Sequence, residues 1–171
     1  DDAEKKSAIK LDENNINLFD SKISVSPDEY GNWEVHSSAD GAIDVLAENI
    51  SEVTFKCENG GFSYLDSPLI EHMKSMDKNF EVTHDNFSNY HYSPDTKEFT
   101  AKTYDEDDVI QCINYFPVGA TDYLLINPQT EFSNLPADNI YITVKFKSGE
   151  SVTKQLRVSF NEEGNMQLEY V

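Results

Sequence analysis

The sequence predicts an all-β protein: a two-sheet, mainly antiparallel sandwich with a C-terminal three-stranded meander and one short helix. Two observations support this prediction. Short stretches of alternating apolar and polar residues are separated by turn residues at intervals of about 8–12 positions, as in sandwiches and barrels. Hydrophobic residues make up 38% of the 171 residues, which is enough for one core. We therefore expect a single β-sandwich domain over residues 16–171.

Residues 1–15 read DDAEKKSAIKLDENN and are expected to form a linker or a disordered terminus. They are polar, carry both charges and show no sustained period. No signal peptide precedes Asp1. We therefore expect the chain to be a mature or soluble part of a longer protein, whose targeting segment lies upstream.

The next part of the chain, up to residue 65, has the alternation of half-buried strands. The alternating apolar residues are Ile23 and Val25, Trp33 and Val35, Ile43 and Val45, then Val53, Phe55 and Cys57, then Phe62 and Tyr64. Turn signals separate these pairs at Pro27-Asp28 with Tyr30-Gly31-Asn32, at Asp40-Gly41, and at Asn59-Gly60-Gly61. The third signal predicts a hairpin between the strand of Phe55 and a return strand at Phe62.

The middle of the chain contains the one predicted helix, over residues 67–80. Ser67 can cap its N-terminus and Pro68 suits its first position, and apolar residues follow at helical spacing. Residues 81–96 then predict a long loop with one edge strand, and further strands are expected at residues 99–104, 109–116 and 123–126. Residues 109–116 (VIQCINYF) are apolar on both faces, which predicts a central buried strand.

In the C-terminal third, apolar residues at even positions predict three antiparallel strands that share one buried face. Directly opposed residues must lie on the same face, so each connecting loop must hold an odd number of residues. Three-residue loops that end in Gly149 and Gly164 satisfy this condition. The pairs that they predict are Val144 with Val152, Phe160 with Met166, and Val158 with Leu168.

The charge of the chain limits its partners. Asp and Glu number 32 against 13 Lys and Arg, which gives a net charge of −19 and a pI near 4.3. Such a surface repels nucleic-acid phosphates and anionic lipid, so we expect no nucleic-acid partner. We expect a protein or peptide partner instead, such as a peptide that adds to an exposed strand edge. No apolar run approaches the roughly 18 residues of a membrane-spanning helix. The composition, with Arg157 as its single arginine, indicates a bacterial source.

Cys57 and Cys112 are expected to lie close together in the core. They can form a disulfide, or they can remain free thiols that act as small hydrophobic residues. A catalytic thiolate needs a cationic and open setting, which neither apolar strand provides. The sequence also lacks a G-x-S-x-G elbow, an H-E-x-x-H motif and a glycine-rich phosphate loop. We therefore predict that the chain is not an enzyme.

Two clusters in the middle of the chain are candidate ligand sites. Asp105, Asp107 and Asp108 belong to a run of four acidic residues that is either a solvated turn or a calcium site without the EF-hand pattern. Tyr90, Tyr92 and Tyr104 either stack on sugar rings or pack beneath a long loop. A further metal set, His84, Asp85 and His91, matches no strict ligand spacing.

Three stretches together resemble a known family: residues 48–62 (ENISEVTFKCENGGF), 109–117 (VIQCINYFP) and 135–168 (LPADNIYITVKFKSGESVTKQLRVSFNEEGNMQL). Their strand-and-turn pattern is similar to the extracytoplasmic β-sandwich domains of membrane-anchored, anti-sigma-factor-like proteins of Firmicutes. The resemblance implies a non-catalytic domain outside the cell, tethered through an N-terminal transmembrane helix, with a cytoplasmic regulatory part upstream. It carries over no catalytic residues. The alternative hypothesis is a secreted carbohydrate- or calcium-dependent binding module.

Overall fold

The computed structural model describes residues 8–10, 17–37, 43–46, 49–65, 73–79, 90–93, 96–102, 110–112 and 114–171. Its strands are β1 (Ala8–Lys10), β2 (Asn17–Pro27), β3 (Trp33–Ser37), β4 (Ile43–Leu46), β5 (Ile50–Cys57), β6 (Gly61–Leu65), β7 (Tyr90–Ser93), β8 (Glu98–Lys102), β9 (Ile110–Cys112), β10 (Asn114–Phe116), β11 (Asp138–Phe146), β12 (Ser151–Phe160) and β13 (Asn165–Tyr170). Helix α1 (Val118–Ile126) and a 3-10 helix (Phe132–Asn134) precede β11.

The described strands form one large sheet and two small ones. The large sheet has seven strands in the order β3-β2-β13-β12-β11-β5-β8, and every pairing in it is antiparallel. The small sheets have the orders β10-β6-β7 and β1-β4-β9, and β1 with β4 is the one parallel pair among the described strands. The predicted fold class, all-β and mainly antiparallel, is confirmed.

The C-terminal meander has the predicted register. Val144 pairs with Val152, Phe160 with Met166, and Val158 with Leu168. Gly149 and Gly164 have φ angles of 90° and 83°, in the left-handed region that glycine adopts without a steric penalty. The even-numbered side chains of β11 and β13 alternate into the core as the parity argument requires.

A cluster of four aromatic rings joins the sheet of β6 and β10 to the large sheet. Phe55 and Phe99, on neighbouring strands of the large sheet, stack with ring centroids 4.8 Å apart. Phe62, on β6, contacts both edge-on and also meets Tyr115 of β10, with centroids 5.9 Å apart. Since aromatic pairs add to the free energy of area burial, this cluster ties the two layers of the sandwich together.

The predicted hairpin at Asn59-Gly60-Gly61 is wrong, because β5 and β6 belong to different sheets. The chain crosses from one layer to the other at this point. Gly60 is required here for space: a Cβ added to it would overlap the ring of Tyr115. The glycines therefore permit a close approach of backbone and ring, rather than a tight two-strand turn.

Two further predictions differ from the structure. In place of the one central strand predicted over residues 109–116, Ile110–Cys112 and Asn114–Phe116 form two short strands, β9 and β10, which lie in different sheets. Residues 123–126, predicted as a strand, form the second half of α1. The sequence does contain signals for this helix. The apolar residues Ala120 and Leu124, both buried, are four positions apart, and Pro128 follows the C-cap Asn127.

The remaining predictions for the first half of the chain are partly covered by the described residues. The turn between β2 and β3 forms as predicted, and the Asp28 carboxylate accepts hydrogen bonds from the backbone N–H groups of Tyr30 and Asn32. Of the predicted helix at 67–80, residues 73–76 are helical. Ala8–Lys10, inside the predicted linker, forms β1 and pairs with β4. The Asp40-Gly41 turn lies outside the described residues.

Candidate functional site

Most of the residues predicted to bind ligands lie outside the described part of the chain. This applies to Asp105, Asp107, Asp108 and Tyr104, and to His84 and Asp85. Tyr90 and Tyr92 lie on β7, where their backbones pair with Leu65 and Ser63 of β6; their side chains are not described. The calcium and carbohydrate hypotheses therefore stay predictions. Within the described ranges, no group of three His, Cys, Asp or Glu side chains is arranged to hold a metal ion.

The described residues do contain one buried carboxylate, that of Asp138 at the start of β11, which is 5% exposed. Its Oδ1 accepts hydrogen bonds from the backbone N–H groups of Glu58, Asn59 and Asn139, at 3.1, 2.8 and 2.8 Å. Its Oδ2 accepts one from the Tyr115 hydroxyl at 2.6 Å. We call these groups, with the neighbouring Cys57, the Asp138 cluster. Its carboxylate is fully engaged, as a buried charge must be to avoid a large desolvation cost.

The Tyr115 phenol and the Cys57 thiol are both held in their neutral forms. Burial, together with the charge of Asp138 and the hydrogen bond to it, raises the pKa of Tyr115 well above its usual value of 10.0. Burial and then the Asp138 charge raise the pKa of Cys57 from 9.0 to about 12. The Cys57 S–H donates to the Lys97 carbonyl at 3.7 Å. Because the nucleophilic form of cysteine is the thiolate, Cys57 is arranged as an unreactive core residue.

Cys57 is buried and is a free thiol in the structure. Cys112 lies on β9, opposite Ile43 of β4, and its side chain is not described. Whether the two sulfurs approach each other in solution therefore stays a prediction. Mass spectrometry under non-reducing conditions tests it, because a disulfide lowers the mass by two hydrogens.

An exposed layer of hydrogen bonds covers one side of the Asp138 cluster. The Glu58 carboxylate accepts hydrogen bonds from Asn139 Nδ2 at 2.9 Å and from the Tyr141 hydroxyl at 2.8 Å. These two bonds lower the pKa of Glu58 below its usual 4.5. Lys97 Nζ donates to the Glu58 carbonyl at 2.9 Å. The residues at the end of β5 are thus fixed by both their backbone and their side chains.

The other side of the Asp138 cluster faces a cavity too small for a ligand. The cavity has a volume of about 10 Å³ and lies between the cluster and α1. Its lining includes Asn59, Tyr115, Gly119, Asp138 and Phe160. A volume of this size is at the limit for a single water molecule. The Asp138 cluster is therefore a closed structural unit, with its acceptors occupied and no room for a substrate.

A surface of exposed apolar side chains lies at the C-terminal end of α1. Leu125 is 50% exposed and Ile126 79% exposed, and Tyr123 is also exposed. Leu124, which lies between Tyr123 and Leu125 in the sequence, is fully buried and belongs to the core. Helix α1 is anchored through this residue and Ala120, and it lies against β3. Three large apolar side chains are thus held in solvent by a helix whose opposite side is fixed in the core.

A cleft of about 540 Å³ follows directly after these exposed residues; we call it the loop cleft. It is lined by Pro128, Gln129, Thr130, Glu131, Phe132, Ser133 and Glu162. A second hollow of about 390 Å³, lined by residues 127–130, extends it toward the end of α1. The α1 surface is defined here as Tyr123, Leu125, Ile126 and the loop cleft.

Backbone hydrogen bonds fix the loop that forms the cleft. The N–H groups of Thr130, Asn134 and Leu135 donate to the carbonyls of Asn127, Glu131 and Phe132, respectively, at 2.9–3.1 Å. Phe132 packs against the core and against Gly164, where a Cβ would meet its ring. The cleft is therefore formed before any partner binds, which lowers the entropy cost of binding.

Neither region is among the sites predicted from the sequence, although each has a signal there. Asp138 occupies an even position, the same parity as Ile140 and Ile142, which predicts that its side chain points inward. A lone acid on a buried face requires hydrogen-bond donors nearby. The α1 surface was missed because residues 123–126 were interpreted as a strand.

No helix in the part of the chain that the structure describes is both long enough and apolar enough to cross a bilayer. Comparisons of the chain with models of protein families, with curated proteins and with solved structures found no match.

Proposed function

We propose that this chain is a non-catalytic sensing or interaction domain, located outside the cell as part of a bacterial membrane-anchored regulatory protein of the anti-sigma-factor-like kind. The observation that carries the proposal is the α1 surface, which would bind a protein or peptide partner. A core-anchored helix presents Leu125 and Ile126 to solvent beside a preformed cleft. Exposed apolar side chains next to a concave, polar-rimmed surface are typical of protein interaction sites.

The chemistry of the buried polar groups supports a role without catalysis. A general acid, base or nucleophile must reach a substrate and be able to change its protonation state near the working pH. Asp138 has its oxygens occupied by four donors. The Cys57 thiol has a pKa of about 12. Neither group has the access or the reactivity that a catalytic role requires.

The location outside the cell and the tether are supported by the resemblance of residues 48–62, 109–117 and 135–168 to the extracytoplasmic family. Sequencing of the native gene upstream of the codon for Asp1 tests this part. We expect codons for a stretch of about 20 apolar residues with a basic inner flank, preceded by a cytoplasmic segment. A cleavable signal peptide alone would contradict the tether and favour the secreted binding module.

Site-specific photo-crosslinking in cells of the native host tests the binding role. A photoreactive amino acid replaces Leu125 in one variant and Val152 in another, since Val152 on β12 is exposed to a similar extent, 43% against 50%. We expect a discrete protein adduct from position 125 and none from position 152. A second substitution, Ile126→Lys, should remove the adduct, because the partner would have to bury a new charge on the surface.

Two results would contradict a partner at the α1 surface. One is the absence of an adduct at position 125, and the other is the same set of adducts from both positions, which would indicate random collision. Circular dichroism of each variant serves as the control for folding.

A further inference from the structure

The loop cleft carries negative charge. Glu131 and Glu162 both line it and both are exposed. Among the described residues, no Lys, Arg or His lies within ion-pair distance of either carboxylate. The Glu131 carboxylate accepts a hydrogen bond from Asn134 Nδ2 at 3.3 Å, which leaves its charge uncompensated. Within the described part of the chain, the two glutamates therefore have no cation beside them, and they present negative charge to the cleft.

The cleft also contains an aromatic ring between polar walls. Phe132 lines the cleft and is half-buried, packed on one side against the core. An aromatic ring attracts a cation placed over its face, and carboxylates nearby add a direct ionic attraction. This combination suits an ammonium or guanidinium group on an aliphatic stem, which can lie along the ring while its charged end reaches the carboxylates.

The exposed side chains beside the cleft are apolar, so the same partner must also supply apolar side chains to cover them. Leu125 and Ile126 stand directly before the loop that forms the cleft. A free cation or a polyamine would leave them in solvent, whereas a peptide segment with both kinds of side chain covers them. The net charge of −19 also favours a basic segment over an acidic one.

We propose that the docking segment of the partner is basic and apolar: a Lys or Arg side chain enters the loop cleft between Glu131 and Glu162, and neighbouring apolar side chains cover Leu125 and Ile126. This inference rests on the proposed function and specifies the chemistry of the partner at the same surface. The cleft supplies specificity through its two carboxylates, and the end of α1 supplies apolar contact area.

The test must separate the cleft from the general attraction of an acidic protein for basic peptides. A fluorescein-labelled peptide in which lysines alternate with leucines is the probe, and fluorescence anisotropy at physiological ionic strength measures its binding. The double variant Glu131→Gln, Glu162→Gln removes the cleft charges. Its matched control, Glu150→Gln, Glu169→Gln, removes two exposed charges from a turn and from the outer face of β13.

We expect the cleft variant to weaken binding about tenfold, since two partly exposed ion pairs are lost. The control should weaken it less than about twofold, because screening limits the effect of distant charges. Two matched peptides complete the test: glutamates in place of the lysines should abolish binding, and serines in place of the leucines should weaken it.

Equal weakening by the cleft variant and its control would overturn the proposal, because it would show only non-specific attraction. Failure of the lysine–leucine peptide to bind the wild-type chain would also overturn it. The crosslinking experiment distinguishes failure of this inference from failure of the proposed function. If the adduct at position 125 forms and survives Glu131→Gln, Glu162→Gln, the α1 surface binds a partner that is not recognised through a cation. If no adduct forms at all, the proposed function itself fails.

Discussion

The Asp138 cluster lies near the N-terminal end of α1 and the α1 surface at its C-terminal end, and the two regions differ in which groups they bury and which they expose. In the cluster, a buried carboxylate has four hydrogen-bond donors, and the adjacent cavity has a volume of only about 10 Å³. At the α1 surface, large apolar side chains are exposed and two carboxylates beside a cleft of about 540 Å³ have no described ionic partner.

This difference separates stability from binding. A buried polar group must find its partners within the chain, because an unsatisfied one costs about 1–3 kcal/mol. An exposed group has water as its partner and can exchange it for a ligand. Substitutions in the Asp138 cluster should therefore change the free energy of unfolding, and substitutions at the α1 surface should change binding.

The largest effect is expected from Asp138→Ala. The substitution leaves the Tyr115 hydroxyl and the N–H groups of Glu58 and Asn59 without their buried acceptor. We expect a loss of about 3–5 kcal/mol in the free energy of unfolding, measured by urea titration with an unchanged m-value. Asp122→Ala, which removes an exposed carboxylate from α1, is the control and should stay within about 0.5 kcal/mol. A loss below about 1 kcal/mol for Asp138→Ala would contradict the structural role of the cluster.

Tyr115→Phe should have the next largest effect, because it removes one donor and leaves the ring in the aromatic cluster. A hydrogen bond to a charged group contributes about 1.5–3 kcal/mol, and we expect a loss in this range. The double variant with Asp138→Ala tests whether the effect belongs to that bond. In the Asp138→Ala background, Tyr115→Phe should cost much less, since the acceptor is already absent. Additive losses would show that the two residues act independently.

Gly60→Ala tests the close approach of backbone and ring at the crossing between the two sheets. A Cβ at this position would overlap Tyr115, and overpacking of this kind costs about 1–3 kcal/mol. Gly119→Ala is the comparison: it lies in α1, and its Cβ would be 3.0 Å from the Asn59 side chain. Alanine is also favoured in a helix, so Gly119→Ala should cost less. Thermal unfolding of both variants provides the comparison, and an equal stability of Gly60→Ala and the wild type would show that the ring moves freely.

The success and failure of the sequence-based predictions follow the same physical division. The meander was predictable because its register depends on local rules: residue parity, loop length and glycine at the left-handed position, as at Gly149 and Gly164. Asp138 was predictable by the same parity but needs donors from Glu58 and Asn59, about 80 residues away, which no local pattern supplies.

The hairpin predicted at Gly60 was wrong because the role of this glycine depends on a contact with Tyr115, which is distant in the sequence. Glycine permits both a turn and a close contact, and the sequence does not distinguish these uses without knowledge of where Tyr115 lies. The single strand predicted over residues 109–116 was wrong for a similar reason, since an apolar run is compatible with one buried strand or with two strands in different layers. The exposed position of Leu125 beside the buried Leu124 depends on the direction in which α1 packs, and this is a tertiary property.

The Cys57 thiol should make the free energy of unfolding depend on pH. Its pKa is raised from 9.0 to about 12 in the folded chain, so the folded state holds its proton more tightly than the unfolded state. Its contribution to stability is therefore fully present below pH 9 and is lost as the pH rises toward 12. After allowance for solvent screening we expect a loss of about 1–2 kcal/mol over this window. The difference between the wild type and Cys57→Ala in urea titrations isolates this contribution, and parallel pH profiles would contradict it.

The smallest change in stability is expected at the α1 surface, where two adjacent leucines form a matched pair. Leu124 is 0% exposed and Leu125 50% exposed, on the same helix. Leu124→Ala should cost about 2–5 kcal/mol, as for other buried leucines. Leu125→Ala should change the free energy of unfolding by less than about 0.5 kcal/mol, because alanine is a good helix former and little buried area is lost. The same substitution should weaken binding of the lysine–leucine peptide. A loss above about 1 kcal/mol for Leu125→Ala would show that another part of this chain covers Leu125, and the α1 surface would then be an internal contact rather than a site for a partner.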